Sequence, residues 1–516
     1  MMRIVVVGAG IAGVPTAYAL KAGLGPNDDV TMVSDRDYFH FVPSNPWVAL
    51  GWREHHEMAF PIAPYLTAQG IGFIPQAAQG IDPALGRVHL ASGSAIDYDF
   101  LLLATGPEAA FDEVEGLVHT HSVIPIEQAL QAQAAYREFI HRPGPVLIGA
   151  APHASVLGPV YECAFLMDED LRRRGIRHRV PITLLTPEPY VGHLGLGGEG
   201  DTPRLLENAM AECGIEHVTC ARTLRVEANR VHFVQVDAEG KESEPRSLLF
   251  AFSLFWPAFR GVTALRSSAE LTNARGFVAV DEYLRHPRYH NIFAVGLCAA
   301  REPVEHTPVP VGAPVSVYSI QNEVETAVGN LLASRYGEPL TSIVPKRAQW
   351  LNDMGENGAA YLSAPQVPLR NIHWLKQGRW VHEAKVAFED HFINSIKLIS
   401  RGTGDGVYSH LATAMADMQA EPTDGIARLS LRHQYCPKSL QLSVQRELYY
   451  ELRAFAGVFG LEFEDLAARL LHAAARDAKS YLGKRLAEEV ELTRRRILFG
   501  DLPENQPGVE FEGGSP

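Results

Sequence analysis

Cysteine is scarce in this chain and poorly placed for joint work. The 516 residues include only five (Cys163, Cys213, Cys220, Cys298 and Cys436), with no C-x-x-C pair and no metal-ligand spacing. That excludes a disulfide framework and a thiolate metal centre, and buried thiols in a reducing compartment are expected instead. Long hydrophobic runs are missing too. The longest uncharged one, Ser247 to Phe259, is too short for a bilayer and carries Pro257, so it reads as a buried strand and no transmembrane segment is expected. The first apolar run leads into a glycine turn and not a cleavage site, which argues against a signal peptide. Positive charge is in deficit: 46 Lys+Arg against 60 Asp+Glu give a formal charge of −14, which excludes wholesale nucleic-acid binding but leaves room for a local basic face.

What is present is an ordinary globular composition, 46% hydrophobic and 21% charged. At roughly 100–200 residues per domain, two to four domains are expected. The chain opens on RIVVVGAGIAGVPTAYAL, Arg3 to Leu20. Arg3 to Val7 is apolar and β-branched after its first residue, as a strand buried on both faces of a parallel sheet would be. Gly8, Gly10 and Gly13 then form G-x-G-x-x-G ahead of an alanine-rich helix. Gly8 permits the turn, Gly10 lets a pyrophosphate approach the backbone, and Gly13 lets helix and strand close up. The next strand, Val30 to Val33, ends in Ser34-Asp35, where a dinucleotide ribose wants a polar partner.

Further along, Asp37 to Arg53 is aromatic and proline-rich without helical or strand period. It reads as a loop lying against a flat ring system or, equally, as aromatic core packing. Strands are expected at Gly72 to Pro75, Arg87 to Leu90 and Tyr98 to Gly106, the last ending in the turn Ala104-Thr105-Gly106. A second strand–turn–helix unit starts at Pro145, but Gly149 is followed by Ala150, Ala151, Pro152 and His153. A pyrophosphate would meet side chains there, so this unit is expected to be Rossmann-like without a nicotinamide nucleotide. Ile182 to Thr186 and Thr202 to Cys213 read as a further strand and helix. Asn291 to Gly296 and Val317 to Ala333 read as the late strand and helix that close the first domain.

The combination resembles the sulfide:quinone oxidoreductase and flavocytochrome c sulfide dehydrogenase flavoproteins, a branch of the glutathione-reductase-like superfamily. The resemblance rests on GAGIAG (Gly8 to Gly13), SDRDYF (Ser34 to Phe39), FVPSNPWVALGWR (Phe41 to Arg53), ATG (Ala104 to Gly106), GPVYE (Gly158 to Glu162), TPEPYVGHLGLGG (Thr186 to Gly198) and TPVPVGAP (Thr307 to Pro314). It implies an α/β fold of two Rossmann-like, glutathione-reductase-type dinucleotide domains with a C-terminal segment, and FAD as the cofactor. It further implies that Gly8, Gly10, Ile11, Ala12 and Gly13 meet the pyrophosphate, that Ser34, Asp35 and Arg36 face the adenosine, and that Ala78 lines the adenine. Pro43, Ser44 and Asn45, with Ala104, Thr105, Gly106 and Gly296, would lie toward the flavin, and Phe388 would mark a quinone site.

The departures matter more. The family oxidises sulfide through cysteines, because a thiolate is nucleophilic enough for sulfur exchange and for addition to the flavin. Those three positions read Ile124, Val156 and Trp350 here, and a customary lysine reads Val315. Cys163, following Glu162 on a helix, and Cys298, following the late strand, are each placed where they could approach the cofactor, but both read as buried thiols. Glu162 matches a glutamate used near the sulfur site, where apolar surroundings would raise its pKa toward proton-transfer range. The other reading is a surface glutamate paired to an arginine. The sulfur route is thus expected to be lost while quinone reduction is retained, with a small-molecule electron donor left unnamed.

Beyond Gly402 the resemblance ends. Ser439 to Gln445 alternates with period two and feeds Arg446 to Phe459 and Glu462 to Arg476, each with one apolar face. This strand-helix-helix order resembles the ribbon-helix-helix fold, an obligate dimer whose paired strands read DNA. Dimerisation without DNA is the alternative, and the acidic net charge favours it. The expected partition is 1–113 and 285–345 for the FAD domain, 114–284 for the second domain and 346–402 for a flavin- and quinone-side segment. A linker at 403–428, the added module at 429–500 and a tail at 501–516 complete it. Two readings stand: a cytoplasmic FAD oxidoreductase, with peripheral attachment at the inner face of the membrane left open, and a flavin-containing regulator working through its C-terminal module.

Overall fold

The computed structural model describes residues 2–198, 202–341, 348–355, 358–364, 372–378, 380–398, 426–431 and 440–445, some of the later ones, Trp350 included, by backbone alone. The first sheet is parallel. Its five strands run in the order Ile292–Ala294, Phe100–Leu103, Arg3–Val7, Asp29–Val33 and Gly72–Ile74. Strand Arg3–Val7 is central, and Ile4 to Val7 are buried because both faces of the sheet are covered. The late strand Ile292–Ala294 joins Phe100–Leu103, so the first domain is completed by chain that returns after the second.

A four-stranded parallel sheet forms the core of the second domain, in the order Ile215–Val218, Ile182–Leu185, Val146–Ala150 and Phe252–Trp256. The run expected as one buried strand at Ser247 to Phe259 is split: Phe252–Trp256 is buried throughout, while Arg246–Leu249 belongs to a separate antiparallel sheet. The two domains are joined by a short antiparallel pair, Pro107–Ala109 with Phe259–Gly261. After it come three antiparallel strands, Ala348–Asp353, Gly358–Ala364 and Ile372–Gln377, and the helix Trp380–Leu398.

The aromatic run after the second strand is not a loop. It folds as a short strand Tyr38–His40, a single 3-10 turn Val42–Ser44 and a helix Asn45–Leu50 ended by Gly51 at φ +78°. Pro43 and Pro46 stand at the starts of the two helical turns, where proline's missing N–H costs nothing. That break into three short pieces is why no single period shows.

Residues up to Gly404 form one compact unit and those from Asp405 a second. In the second unit, Leu440–Gln445 is a strand, close to expectation, but its antiparallel partner is Ile426–Leu431 of the same chain, with Leu429 opposite Leu442. The linker expected at 403–428 therefore runs into a strand, and the ribbon does not require a second copy. The expected helices at 446–459 and 462–476 lie outside the described residues.

Candidate functional site: a dinucleotide groove opening into an apolar cavity

At the carboxyl ends of the first sheet, the turn after Val7 is held by Gly8 N–H donating to Val33 O at 2.8 Å. Gly8 has φ +111°, and a Cβ there would stand 2.3 Å from Ala104 O; one on Gly13 would stand 1.8 Å from Gly8 O. Neither position tolerates a side chain. Gly10, by contrast, has nothing within 4 Å of a built Cβ, so its backbone faces open space. That space is a groove walled by residues 8–12, Ser34 to Arg36, Ala104 to Gly106 and Gly296. Arg36 is tied to Glu127 at 3.0 Å and to the Tyr38 hydroxyl at 3.1 Å. Gly296 is fixed by Glu323, which accepts from Gly296 N at 2.8 Å and is paired with Arg301.

His40 is a groove residue that no motif or spacing singles out. Its Nε2 lies 2.6 Å from Asn45 Oδ1 while Asn45 Nδ2 donates to Val123 O at 2.6 Å, so Nε2 carries the proton and Nδ1 is a bare acceptor. Nδ1 is buried without a partner among the described residues. Burial lowers the His40 pKa to about 4, which keeps the ring neutral. A glycine turn with open backbone and an orphaned acceptor beside it fit a dinucleotide bearing phosphates and hydroxyls.

The groove shares Ile11, Val42, Ile124, Leu297 and Ile320 with a second cavity. Its walls are apolar: Phe41, Pro43, Val123, Val156, Val315, Tyr318 and Phe388. Tyr318 and Phe388 have ring centroids 4.8 Å apart, and Phe41 packs on Phe388 at 5.9 Å. Val156 stands at φ 59°, a region that β-branched residues avoid.

Four ionisable groups cluster at this cavity, Glu162 and Lys385 on its wall and Asp353 and His382 nearby. Glu162, from helix Gly158–Arg173, is 3% exposed and pairs with Lys385, 7% exposed, from helix Trp380–Leu398. Burial raises the Glu162 pKa against the opposing pull of Lys385. Lys385 Nζ lies 4.6 Å from the Trp47 ring centroid, and Trp47 Nε1 donates to Asp353 Oδ2 at 2.9 Å. His382 Nδ1 meets the same Asp353 oxygen at 2.8 Å. Burial pushes the Asp353 pKa up, but the His382 hydrogen bond and the nearby positive charges outweigh it and hold it low.

Residues 2–317 match the family described as pyridine nucleotide-disulphide oxidoreductase. The chain belongs to this family. The sulfide-quinone reductase of Aquifex aeolicus is 35% identical over 397 residues, covering 77% of this chain and 91% of that protein. The solved structure of the sulfide:quinone oxidoreductase from that bacterium superimposes with a TM-score of 0.73, again over 77% and 91% of the two chains. A type II NADH:quinone oxidoreductase of Staphylococcus aureus is 24% identical over 61% of this chain and 79% of its own.

For a pyridine nucleotide-disulphide oxidoreductase, most sequence-chosen residues come together. Gly8, Gly10, Ile11, Ala12, Ser34, Asp35, Arg36, Asn45, Ala104, Thr105, Gly106 and Gly296 line the groove, and Pro43, Glu162 and Phe388 line the cavity. Gly13 acts from behind, by allowing close packing. Two residues fall elsewhere. Ala78 pairs with Leu90 on a strand packed against the core, and does not line the groove. Ser44 is fully buried and donates to Glu389, so it ties the aromatic run to the last helix. Ile124 and Val156 both line the cavity, whereas Trp350 lies on strand Ala348–Asp353 opposite Tyr361, its side chain outside the described residues. Cys163 is buried, its thiol pKa pushed far up by burial. The Cys298 thiol is also raised by burial and donates to Leu103 O at 3.2 Å.

The second domain has filled its own nucleotide cradle. A Cβ on Gly149 would stand 2.3 Å from the Phe255 ring, so that glycine admits a neighbouring side chain. Glu188, just past strand Ile182–Leu185 where a ribose would seek a carboxylate, is fully buried. It accepts from the Tyr161 hydroxyl, Thr186 Oγ1 and Leu194 N at 2.6–2.7 Å.

Proposed function

We propose that this protein is an FAD-dependent oxidoreductase of the sulfide:quinone oxidoreductase type that passes electrons to a quinone and has lost the cysteine route from sulfide. The observation that carries this reading is the continuity of the groove with an apolar cavity that holds Phe388, Tyr318 and the Glu162–Lys385 pair, with Ile124 and Val156 on its wall. FAD, when bound, supplies two-electron transfer. The protein supplies the rest: Phe388 and Tyr318 offer flat faces to a ring, and the walls exclude water. Reduction of a quinone to a quinol takes up two electrons and two protons. Burial raises the Glu162 pKa toward the range in which its carboxyl passes a proton, while Lys385 Nζ donates to Glu162 Oε1 and its positive charge offsets charge developing on a quinone oxygen.

The relatives include both sulfide and NADH oxidisers by name. The filled cradle at Gly149 and Glu188 speaks against NADH, and isoleucine and valine at the sulfur positions speak against sulfide. Cofactor released by heat should show the FAD spectrum. Anaerobic mixing of the holoprotein with sulfide, and separately with NADH, should leave the flavin oxidised; rapid bleaching by sulfide refutes loss of the cysteine route.

No helix among the described residues is long and apolar enough to cross a membrane. We place the protein in the cytoplasm, attached peripherally to the membrane that holds its quinone. Self-association through residues 429–500 also belongs to this reading, and sedimentation of the full chain against one ended at Gly404 tests it. The regulator reading has no observation in its favour, because the ribbon strand finds its partner in its own chain.

A further inference from the structure

Two buried donors on the cavity wall have no acceptor among the described residues. Asn352 is 1% exposed and Trp256 3% exposed, both line the cavity, and Asn352 Nδ2 and Trp256 Nε1 are both unpartnered. They come from different parts of the chain. Trp256 ends the strand Phe252–Trp256 of the second domain; Asn352 lies on strand Ala348–Asp353, next to Asp353. Their charged neighbours are already engaged, Lys385 with Glu162 and Asp353 with Trp47 and His382.

A buried N–H without an acceptor costs free energy, and native proteins rarely keep one without a use for it. Here two occur on one cavity whose other walls are apolar apart from Ser316 and the paired Glu162 and Lys385. Indole N–H can only donate, and the free end of the Asn352 amide is likewise a donor. The complementary occupant is therefore flat and apolar, with acceptor oxygens on its ring and no positive charge.

We propose that Asn352 and Trp256 are specificity-determining donors that hydrogen-bond ring carbonyl oxygens of the cavity's occupant. This rests on the flavin and quinone reading above. Two molecules carry that chemistry, the quinone and the flavin ring itself, and the test separates them. It selects for ring carbonyls over sulfide or a thiol, neither of which offers a strong acceptor oxygen.

The test uses full-length holoprotein with three substitutions: Asn352→Leu, Asn352→Asp and Trp256→Phe. Asn352→Leu and Asn352→Asp keep the side chain's approximate size, Trp256→Phe trades the indole for a smaller ring, and the leucine and phenylalanine variants remove an unsatisfied donor. Cooperative melting of their ligand-free forms shows that they fold. Flavin reduced anaerobically by dithionite is mixed with duroquinone or menadione, and reoxidation is followed against quinone concentration. FAD affinity of the apoprotein is titrated alongside.

If the donors meet the quinone, Asn352→Leu and Trp256→Phe each raise the half-saturating quinone concentration about tenfold, the equivalent of ~1.4 kcal/mol. FAD affinity stays put, and Asn352→Asp, which sets a carboxylate against a carbonyl, loses more. If they meet the flavin, FAD affinity falls by a similar factor and its bands shift while quinone dependence holds. Either result supports the proposal. Unchanged quinone dependence, FAD affinity and flavin bands in all three variants overturn it. A wild-type protein that binds FAD but is reoxidised by neither quinone defeats the parent reading instead.

Discussion

At the residue scale, the chemistry is set by carboxylates and a histidine whose burial the sequence does not display. Glu188 shows the sign of the effect. Burial raises its pKa to about 7, partly opposed by its hydrogen bonds. A raised carboxyl pKa means that the folded state holds a proton the unfolded chain has released, so this contribution to stability is full below about pH 4.5 and is lost as pH rises through about 7. Glu188→Gln should flatten that part of the curve by about 3 kcal/mol, read from urea unfolding across the pH range. His40 has the opposite sign. With its pKa lowered to about 4, its contribution is present above about pH 6.5 and is lost as pH falls toward 4. His40→Phe should weaken FAD retention about tenfold or less, one neutral hydrogen bond being worth about 1 kcal/mol.

Glu162 could be singled out from sequence only by resemblance, because its partner lies 223 residues away at Lys385. The reading of a glutamate whose pKa is raised by apolar surroundings agrees with its burial, whereas the surface pair with an arginine does not occur, since its partner is the buried Lys385. Glu162→Gln should slow quinone reduction by about 10²-fold or more, a general-acid contribution, with FAD content unchanged.

At the element scale, the first strand, turn and helix were legible because three glycines each answer a steric demand. Gly13→Ala should abolish FAD retention, since its Cβ would meet a backbone oxygen at 1.8 Å that cannot swing away. The aromatic run was not legible. Its order comes from distant contacts: Ser44 with Glu389, Trp47 with Asp353, Arg53 with Glu389 at 3.1 Å. Trp47→Phe removes part of a buried ring as well as a donor to buried Asp353, and should lower stability by about 1–3 kcal/mol in denaturant titration. The ribbon strand was legible from its period of two, but its cis partner Ile426–Leu431 was hidden in a stretch dominated by Gly, Asp, Ala and Thr.

At the scale of the whole molecule, the two Rossmann-like sheets and the late return strand follow from strand, turn and helix patterns alone. The path from groove to cavity does not, because it is assembled from residues as far apart as Ile11 and Phe388. All of it lies within the unit that ends at Gly404. A chain stopped there should retain FAD and quinone reduction at near wild-type rates in a steady-state assay.

The central claim is that a flavin held by this groove delivers its electrons to a quinone in the adjoining cavity. Its most direct test is anaerobic: the holoprotein's flavin is bleached by dithionite, mixed with menadione, and the oxidised flavin band is followed. Saturable return of that band is expected, together with formation of one quinol per flavin. A band that stays bleached, or returns only at the rate of free reduced flavin in solution, would contradict it.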